Sequence, residues 1–120
     1  MRDVIAGEIR RFANTCRWSL QGWRAAWASE KSLRQWVVVN ALSAALAVTL
    51  DLSTGERALI LALGLLVLAA ELFNTAIEEV VDLASPDRQP AAGKAKDCGS
   101  AAVALTAMAG GLAWLVILLG

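Results

Sequence analysis

The long apolar stretch in the middle of the chain contains acidic residues that neither lipid nor a hydrophobic core accepts easily. Glu71 follows a run without charge over residues 58–70, and Glu78 and Asp82 come seven and eleven positions after it. In a helix that turns by about 100° per residue, the three acids point within about 40° of one another, with Asn74 slightly to one side. They therefore form an acidic column, a row of oxygen ligands along one helix face.

The depth of Glu71 in a membrane indicates what this column does. A helix that starts near Arg57 carries Glu71 about 21 Å along its axis, into the inner third of a bilayer. An ionised carboxylate there costs about 2.5 kcal/mol or more, so its presence needs a reason. Glu71 is placed to take a proton from a lipid hydroxyl, and Glu78 and Asp82 to hold a hard divalent cation that bridges phosphates. The alternatives are a structural Glu71 and a helix end that enters water at Glu78, Glu79 and Asp82.

Basic residues lie where they could meet phosphate groups near this column. Lys94, Lys96 and Asp97 precede the last apolar stretch. A lysine near phosphate acts as a point charge, although the same residues also suit an ordinary basic flank of a membrane helix. Neither G-x-x-x-x-G-K-[ST] nor G-x-G-x-x-G occurs in the sequence. Any nucleotide would therefore be held by a metal ion with Arg and Lys side chains rather than by a glycine-rich cradle.

The composition is that of a membrane protein. Hydrophobic residues make up 58% of the 120 residues and the mean hydropathy is +0.56, against roughly 45–50% apolar content in soluble domains. The formal net charge is zero, so binding to nucleic acid is not expected. Two cysteines without any histidine exclude a disulfide scaffold and a Cys/His metal cluster.

The spacing of apolar residues predicts an all-α membrane protein with a single domain over residues 1–120. Apolar residues recur every three or four positions through residues 1–29, flanked by arginines at seven-residue spacing. This pattern is typical of an amphipathic helix in the membrane interface; the alternative is a helix packed on a soluble core. Three membrane helices are predicted, with a polar turn at 51–56 and a loop at 83–96, and they cover residues 33–50, 57–81 and 98–119.

The basic residues predict the orientation of these helices. Seven of the eleven precede position 35, and three more lie between positions 82 and 97. Basic residues concentrate on the cytoplasmic side of membrane proteins. Three spans then place the N-terminus and the 83–96 loop in the cytoplasm, and the 51–56 turn and the C-terminus outside.

The polar motifs resemble those of the prokaryotic integral-membrane diacylglycerol kinase family, over nearly the whole chain. The matching segments are Glu71-Leu-Phe-Asn74-Thr-Ala-Ile-Glu78 with Val80-Val81-Asp82, Ala95-Lys96-Asp97, Gly99-Ser100-Ala-Ala-Val103, and Arg24-Ala25-Ala26-Trp27 with Glu30. The resemblance implies a homotrimeric bundle of three-span subunits, each with an interfacial helix. It also implies an enzyme that uses ATP and Mg²⁺ to phosphorylate a membrane lipid at the cytoplasmic face of the bacterial inner membrane.

Roles for individual residues follow from the same resemblance. Glu71 is similar to the catalytic base, and Glu30 and Glu78 are similar to metal ligands that also meet the nucleotide. The further nucleotide-binding residues that it implies are Arg11, Trp18, Asp87, Arg88, Gln89, Lys96 and Asp97. The implied lipid-binding residues, besides Glu71, are Arg24, Ala25, Ala26, Trp27, Asn74 and Ser100.

The expected reaction is in-line transfer of the γ-phosphate of ATP to the hydroxyl of diacylglycerol, which gives phosphatidic acid. The stretch Gly99-Ser100-Ala101-Ala102 resembles the branch of the family that uses diacylglycerol more than the alternative branch, whose substrate is undecaprenol. From the residues alone, a small proton-coupled transporter is also an alternative, although its acid is expected near the membrane midplane. A membrane adaptor without catalysis would leave Glu71 unexplained.

Overall fold

The protein is all-helical in the computed structural model, which describes residues 1–87 and 89–120. The helices of these residues are α1 (Arg2–Ser29), α2 (Lys31–Thr49), α3 (Thr54–Ala84) and α4 (Pro90–Leu119). They divide into two compact units, Met1–Glu30 and Lys31–Gly120. The predicted all-α class is confirmed.

The first unit consists of α1 and the residue that ends it. The backbone N–H of Glu30 donates to the carbonyl of Ala26 at 2.7 Å and closes the last turn. Ile9 and Phe12, two of the apolar residues that recur along this helix, are exposed. The rings of Trp23 and Trp27 stack with centroids 6.3 Å apart. An exposed aliphatic and aromatic face of this kind suits a helix in the membrane interface.

Side-chain caps determine the turn between α2 and α3. Ser53 Oγ accepts the N–H of Glu56 at 3.2 Å, and Glu56 Oε2 accepts the N–H of Ser53 at 2.8 Å. This reciprocal capping box starts α3 at Thr54, earlier than the predicted start at residue 57. Arg57 donates from Nε to the carbonyl of Ala47 at 2.8 Å. Its guanidinium therefore satisfies a carbonyl that the end of α2 leaves without a partner.

The connection between α3 and α4 is shorter than the predicted loop at 83–96. α3 continues to Ala84, and α4 begins at Pro90 with Gln89 as its N-cap. Proline suits the first position of a helix, because it has the helical φ and its missing N–H would have no partner there. The prediction of a loop at 90–96 is therefore wrong, since Pro90 starts a helix here instead of preventing one.

α3 lies in the middle of the second unit and packs against both α2 and α4. The buried apolar core is small and takes residues from all three helices: Leu33, Ala47, Ile60, Val67 and Val103. The indole Nε1 of Trp114 on α4 also donates to Ser43 Oγ on α2 at 2.8 Å. The three helices thus form one packed bundle around α3.

Most large apolar side chains of the second unit point away from this core. Leu65, Phe73, Leu105 and Leu112 are each more than 60% exposed. In the part of the chain that the structure describes, α3 and α4 are long and apolar enough to cross a membrane, and α2 is not among these helices. Lipid can cover such surfaces without cost. Two membrane-spanning candidates are thus present, and the span over 33–50 stays a prediction.

Candidate functional site

Glu71 lies in the interface between α2 and α3. It is only 4% exposed, and it is the one buried charged side chain among the described residues. Its Oε1 accepts a hydrogen bond from the hydroxyl of Ser32 on α2 at 2.5 Å. Thr75 donates to the backbone carbonyl of Glu71 at 3.0 Å. The predicted acid therefore sits between two helices with a polar partner, as buried polar groups generally require.

Asn74 connects the acidic column to α4. Its Nδ2 donates to Glu78 Oε1 at 3.3 Å, while its Oδ1 is buried without a hydrogen-bond partner among the described residues. A Cβ added to Gly99 would lie 2.5 Å from this Oδ1. Because Gly99 has no side chain, α4 can approach α3 closely here. Asn74 Oδ1 therefore lies in the α3–α4 interface, where it faces Gly99.

An ion pair lies at the other end of the acidic column. Lys96 Nζ on α4 is 2.5 Å from Asp82 Oδ1 on α3, and the two side chains are 40% and 65% exposed. Exposed pairs of this kind contribute about 0–1 kcal/mol. The ammonium of Lys96 can therefore exchange Asp82 for a phosphate oxygen at little cost.

A cavity of about 440 Å³ opens beside this ion pair, where α3 ends and α4 begins. Its walls include the pair itself together with Asp87 and Gln89, both predicted to bind nucleotide. Arg88, which belongs to the same prediction, lies outside the described residues. The structure therefore brings Asp87, Gln89 and Lys96 to one cavity.

Two predicted residues of α4 are not part of these contacts. Asp97 and Ser100 are exposed on either side of the buried face that carries Gly99. A helix turns by about 100° per residue, so the neighbours of an inward-facing residue point away from it. Asp97 and Ser100 face outward in this chain, and their predicted roles remain predictions.

The remaining predicted site residues belong to the first unit. Arg11 lies 3.7 Å from Glu8, one turn away on α1, and Trp18 is exposed. Glu30 Oε1 accepts the hydroxyl of Ser29 at 3.0 Å. The contribution of Arg11, Trp18 and Glu30 to a site that contains Glu71 stays a prediction.

The segment Arg24–Trp27, predicted to contact lipid, lies in the last two turns of α1. Arg24 and Trp27 form a shallow pocket of about 260 Å³ together with Trp23. Ala25 is exposed and Ala26 is buried. An indole surface next to a guanidinium is the combination that favours the headgroup region of a membrane.

Two residues of the site were not identified from the sequence. Ser32 occurs in the first turn of α2, and only the packing of α2 on α3 reveals its contact with Glu71. Gly99 stands in a recognised motif, but no role was assigned to it. Its position three residues after Lys96 places both on one face of α4, which could have indicated a shared contact with α3.

The chain is similar to known proteins over most of its length. The sequence model of the prokaryotic diacylglycerol kinase family matches residues 17–118. The chain is 46% identical over 114 residues to a diacylglycerol kinase of Pseudomonas aeruginosa, covering 93% of this chain and 91% of that protein. It is 35% identical over 108 residues to a diacylglycerol kinase of Escherichia coli K12, covering 90% and 88%. It is also 35% identical over 106 residues to one of Haemophilus influenzae, covering 88% and 90%.

These matches establish the class of protein. The predicted class, a membrane lipid kinase, is confirmed by the family match and by relatives that span nearly the whole chain. The chain belongs to the prokaryotic diacylglycerol kinase family.

The close approach of α4 to Asn74 leads to a first prediction. We expect Gly99→Ala to destabilise the protein by about 1 kcal/mol, because the new Cβ overlaps Asn74 Oδ1 and the Asn74 amide must rotate away from its hydrogen bond with Glu78. Thermal unfolding in detergent measures this change, and kinase activity should fall with it. Gly110→Ala on the same helix is the matched control, since a Cβ there meets nothing within 4 Å. Equal melting temperatures for the two variants would contradict the prediction.

Proposed function

We propose that this protein transfers the γ-phosphate of ATP to the free hydroxyl of diacylglycerol and so forms phosphatidic acid. The observation that carries the proposal is the acidic column of α3, with buried Glu71 at one end and, at the other, the Asp82–Lys96 pair beside the cavity that Asp87 and Gln89 also line. Relatives named diacylglycerol kinase support diacylglycerol as the substrate, rather than undecaprenol.

Glu71 is the general base in this proposal. Its carboxylate takes the proton of the lipid hydroxyl while the hydroxyl oxygen forms a bond to the γ-phosphorus. The bond between that phosphorus and the β,γ-bridging oxygen breaks, and ADP leaves with its electron pair. Burial between α2 and α3 supports this role, because it keeps water from competing with the lipid hydroxyl.

Glu78 and Glu30 are the residues proposed to hold Mg²⁺. No group of three or more acids suited to a metal ion occurs in residues 1–87 and 89–120. Mg²⁺ usually binds proteins through one or two carboxylates together with substrate phosphates, so such a group is not required. The Glu78 carboxylate is an oxygen donor of the type that Mg²⁺ prefers. When bound, the ion neutralises charge on the phosphate oxygens.

The nucleotide is proposed to lie near the α3–α4 connection. Lys96 reaches its phosphates from the cavity that Asp87 and Gln89 also line, which supports their shared role. The other residues proposed to contact ATP are Arg11, Trp18, Arg88 and Asp97. The residues proposed to contact the lipid are Arg24, Ala25, Ala26, Trp27, Asn74 and Ser100.

We further propose that three spans cross the bacterial inner membrane, with the N-terminus and the site on the cytoplasmic side, and that three copies form a trimer. The distribution of basic residues supports this orientation. The apolar faces of α3 and α4, which the second unit leaves exposed, supply surface for lipid and for neighbouring copies.

Transfer of radiolabelled phosphate from ATP tests the proposed function. The purified protein is placed in mixed detergent–lipid micelles with diacylglycerol or undecaprenol. We expect label in phosphatidic acid, loss of label after Mg²⁺ is removed with EDTA, and recovery when Mg²⁺ is restored. Label in undecaprenyl phosphate alone would keep the reaction and change the substrate. No label in either lipid, from protein shown to be folded, would contradict the proposal.

A further inference from the structure

Ser32 makes a hydrogen bond that no other hydroxyl of the described helices makes: it donates to a side chain on a different helix. Its Oγ is 2.5 Å from Glu71 Oε1, although the two residues are 39 positions apart in the chain. Ser32 is half-buried, and Leu33 beside it is completely buried. The contact therefore lies inside the α2–α3 interface, where neither partner can move far.

The position of Ser32 in α2 explains why its hydroxyl is available. Hydroxyls in helices usually donate to the carbonyl four residues earlier, as Thr49 does to Ala45 and Thr106 to Ala102. Ser32 is the second residue of α2, so its own helix has no carbonyl four residues before it. The hydroxyl is left to donate elsewhere, and Glu71 is the acceptor that the packing presents.

This hydrogen bond restricts a side chain that otherwise has several rotamers. A glutamate carboxylate accepts hydrogen bonds at both oxygens and donates none when ionised. Because Ser32 holds Oε1, the carboxylate keeps one orientation relative to α2 and α3. Proton transfer depends on such placement, since a displacement of about 1 Å at a reacting group can lower a rate by about a hundredfold.

We infer that Ser32 is a positioning residue for Glu71: its hydroxyl holds Oε1 and leaves Oε2 to take the proton of the lipid hydroxyl. The inference rests on the proposed role of Glu71 as the base. Ser32 touches neither the substrate nor the phosphates in this view, and it acts on the rate only through the orientation of the Glu71 carboxylate.

The test compares substitutions at position 32 that separate the hydroxyl from the volume of the side chain. Ser32→Ala removes the hydroxyl, while Ser32→Thr and Ser32→Val have nearly equal volumes and differ in the hydroxyl. We expect Ser32→Ala and Ser32→Val to lower kcat by about tenfold, with KM for ATP and for diacylglycerol within about twofold of the original protein. Ser32→Thr should stay within about threefold in kcat. Equal kcat values for the Thr and Val variants would overturn the inference, whatever the added methyl group does to folding.

Ser43→Ala is the matched control. Ser43 lies on the same helix, three turns farther along, and its Oγ accepts a hydrogen bond from Trp114 without contacting Glu71. We expect kcat to stay within about twofold, because loss of a serine hydroxyl from α2 does not by itself disturb a residue three turns away. A decrease as large as that of Ser32→Ala would attribute the effect to α2 packing and overturn the inference.

Ser32→Ala measured in a Glu71→Asp variant shows whether Ser32 acts through Glu71. The shorter side chain of Glu71→Asp ends about 1.5 Å farther from Ser32 and loses the contact. Ser32→Ala should therefore change kcat by less than about twofold in this background. A tenfold decrease there as well would mean that Ser32 acts independently of Glu71, which overturns the inference.

Glu71→Gln, measured in parallel, distinguishes a failure of the proposed role of Glu71 from a failure of the proposed role of Ser32. If Glu71→Gln keeps more than about a tenth of the activity, the role of Glu71 as base fails and the inference fails with it. If Glu71→Gln is inactive while Ser32→Ala and Ser32→Val keep the original kcat, the base remains and only the role of Ser32 is overturned.

Discussion

Glu71→Gln abolishes phosphate transfer: we expect kcat to fall by at least about a hundredfold, in line with the contribution of general bases in other enzymes. Glutamine has the size of glutamate and keeps an Oε1 that can accept the Ser32 hydroxyl. It cannot take a proton from the lipid hydroxyl. The fold and the affinity for ATP should therefore stay close to those of the original protein, while turnover is lost.

Three measurements on one preparation check this result. They are the rate of phosphatidic acid formation, the affinity for a non-hydrolysable ATP analogue, and the melting temperature in detergent. Glu79→Gln is the matched control, since Glu79 is an exposed acid on the same helix that points away from the acidic column. Retention of more than about a tenth of the activity by Glu71→Gln would show that another group takes the proton.

Glu78→Gln has the second-largest expected effect, and it should appear in binding rather than in turnover alone. Removing the negative charge weakens the proposed contact with Mg²⁺ and with the phosphates beside it. We expect the apparent Mg²⁺ requirement and KM for ATP to rise by about tenfold or more, comparable to the loss of other metal-site groups. The local structure should persist, because the amide oxygen of glutamine can still accept the hydrogen bond from Asn74.

Titration of activity with Mg²⁺ at fixed ATP, and with ATP at saturating Mg²⁺, separates the two binding effects of Glu78→Gln. Glu79→Gln again serves as the control, because it removes the same charge one residue away on another face. An unchanged Mg²⁺ requirement in Glu78→Gln would remove this residue from the proposed metal site.

The helices could be predicted from the sequence because apolar periodicity and charge reveal elements that lie in or against a membrane. α1 occupies the predicted range almost completely, and α2 and the apolar part of α3 agree within a few residues. The errors occur where short polar motifs decide the boundaries. Ser53 and Glu56 start α3 inside the predicted turn, and Pro90 starts α4 inside the predicted loop. In both cases polar or proline residues that are typical of turns are the residues that start a helix.

Only the part of the site that lies on a single helix, α3, could be predicted from the sequence. The three acids and Asn74 share a face of α3 by helical geometry, and the Asn74–Glu78 hydrogen bond agrees with that prediction. Contacts between helices depend on how α2 and α4 pack on α3, which periodicity does not determine. Ser32 against Glu71 and Gly99 against Asn74 are of this kind. The Asp82–Lys96 pair is another contact of this kind, because the sequence indicates each residue separately but not their pairing.

In the α3–α4 hairpin, one contact aligns the two helices and a different contact carries the charge. The approach of Gly99 to Asn74 is a packing contact, so salt does not weaken it, and it holds the register of the two helices. The Asp82–Lys96 pair is exposed and electrostatic, so a phosphate can replace Asp82 as the partner of Lys96. Lys96 can release its partner and recover it in every cycle while the helices stay in place. The proposed rounds of nucleotide binding and release at Lys96 would thus require side-chain motion on α3 and α4 but no helix rearrangement.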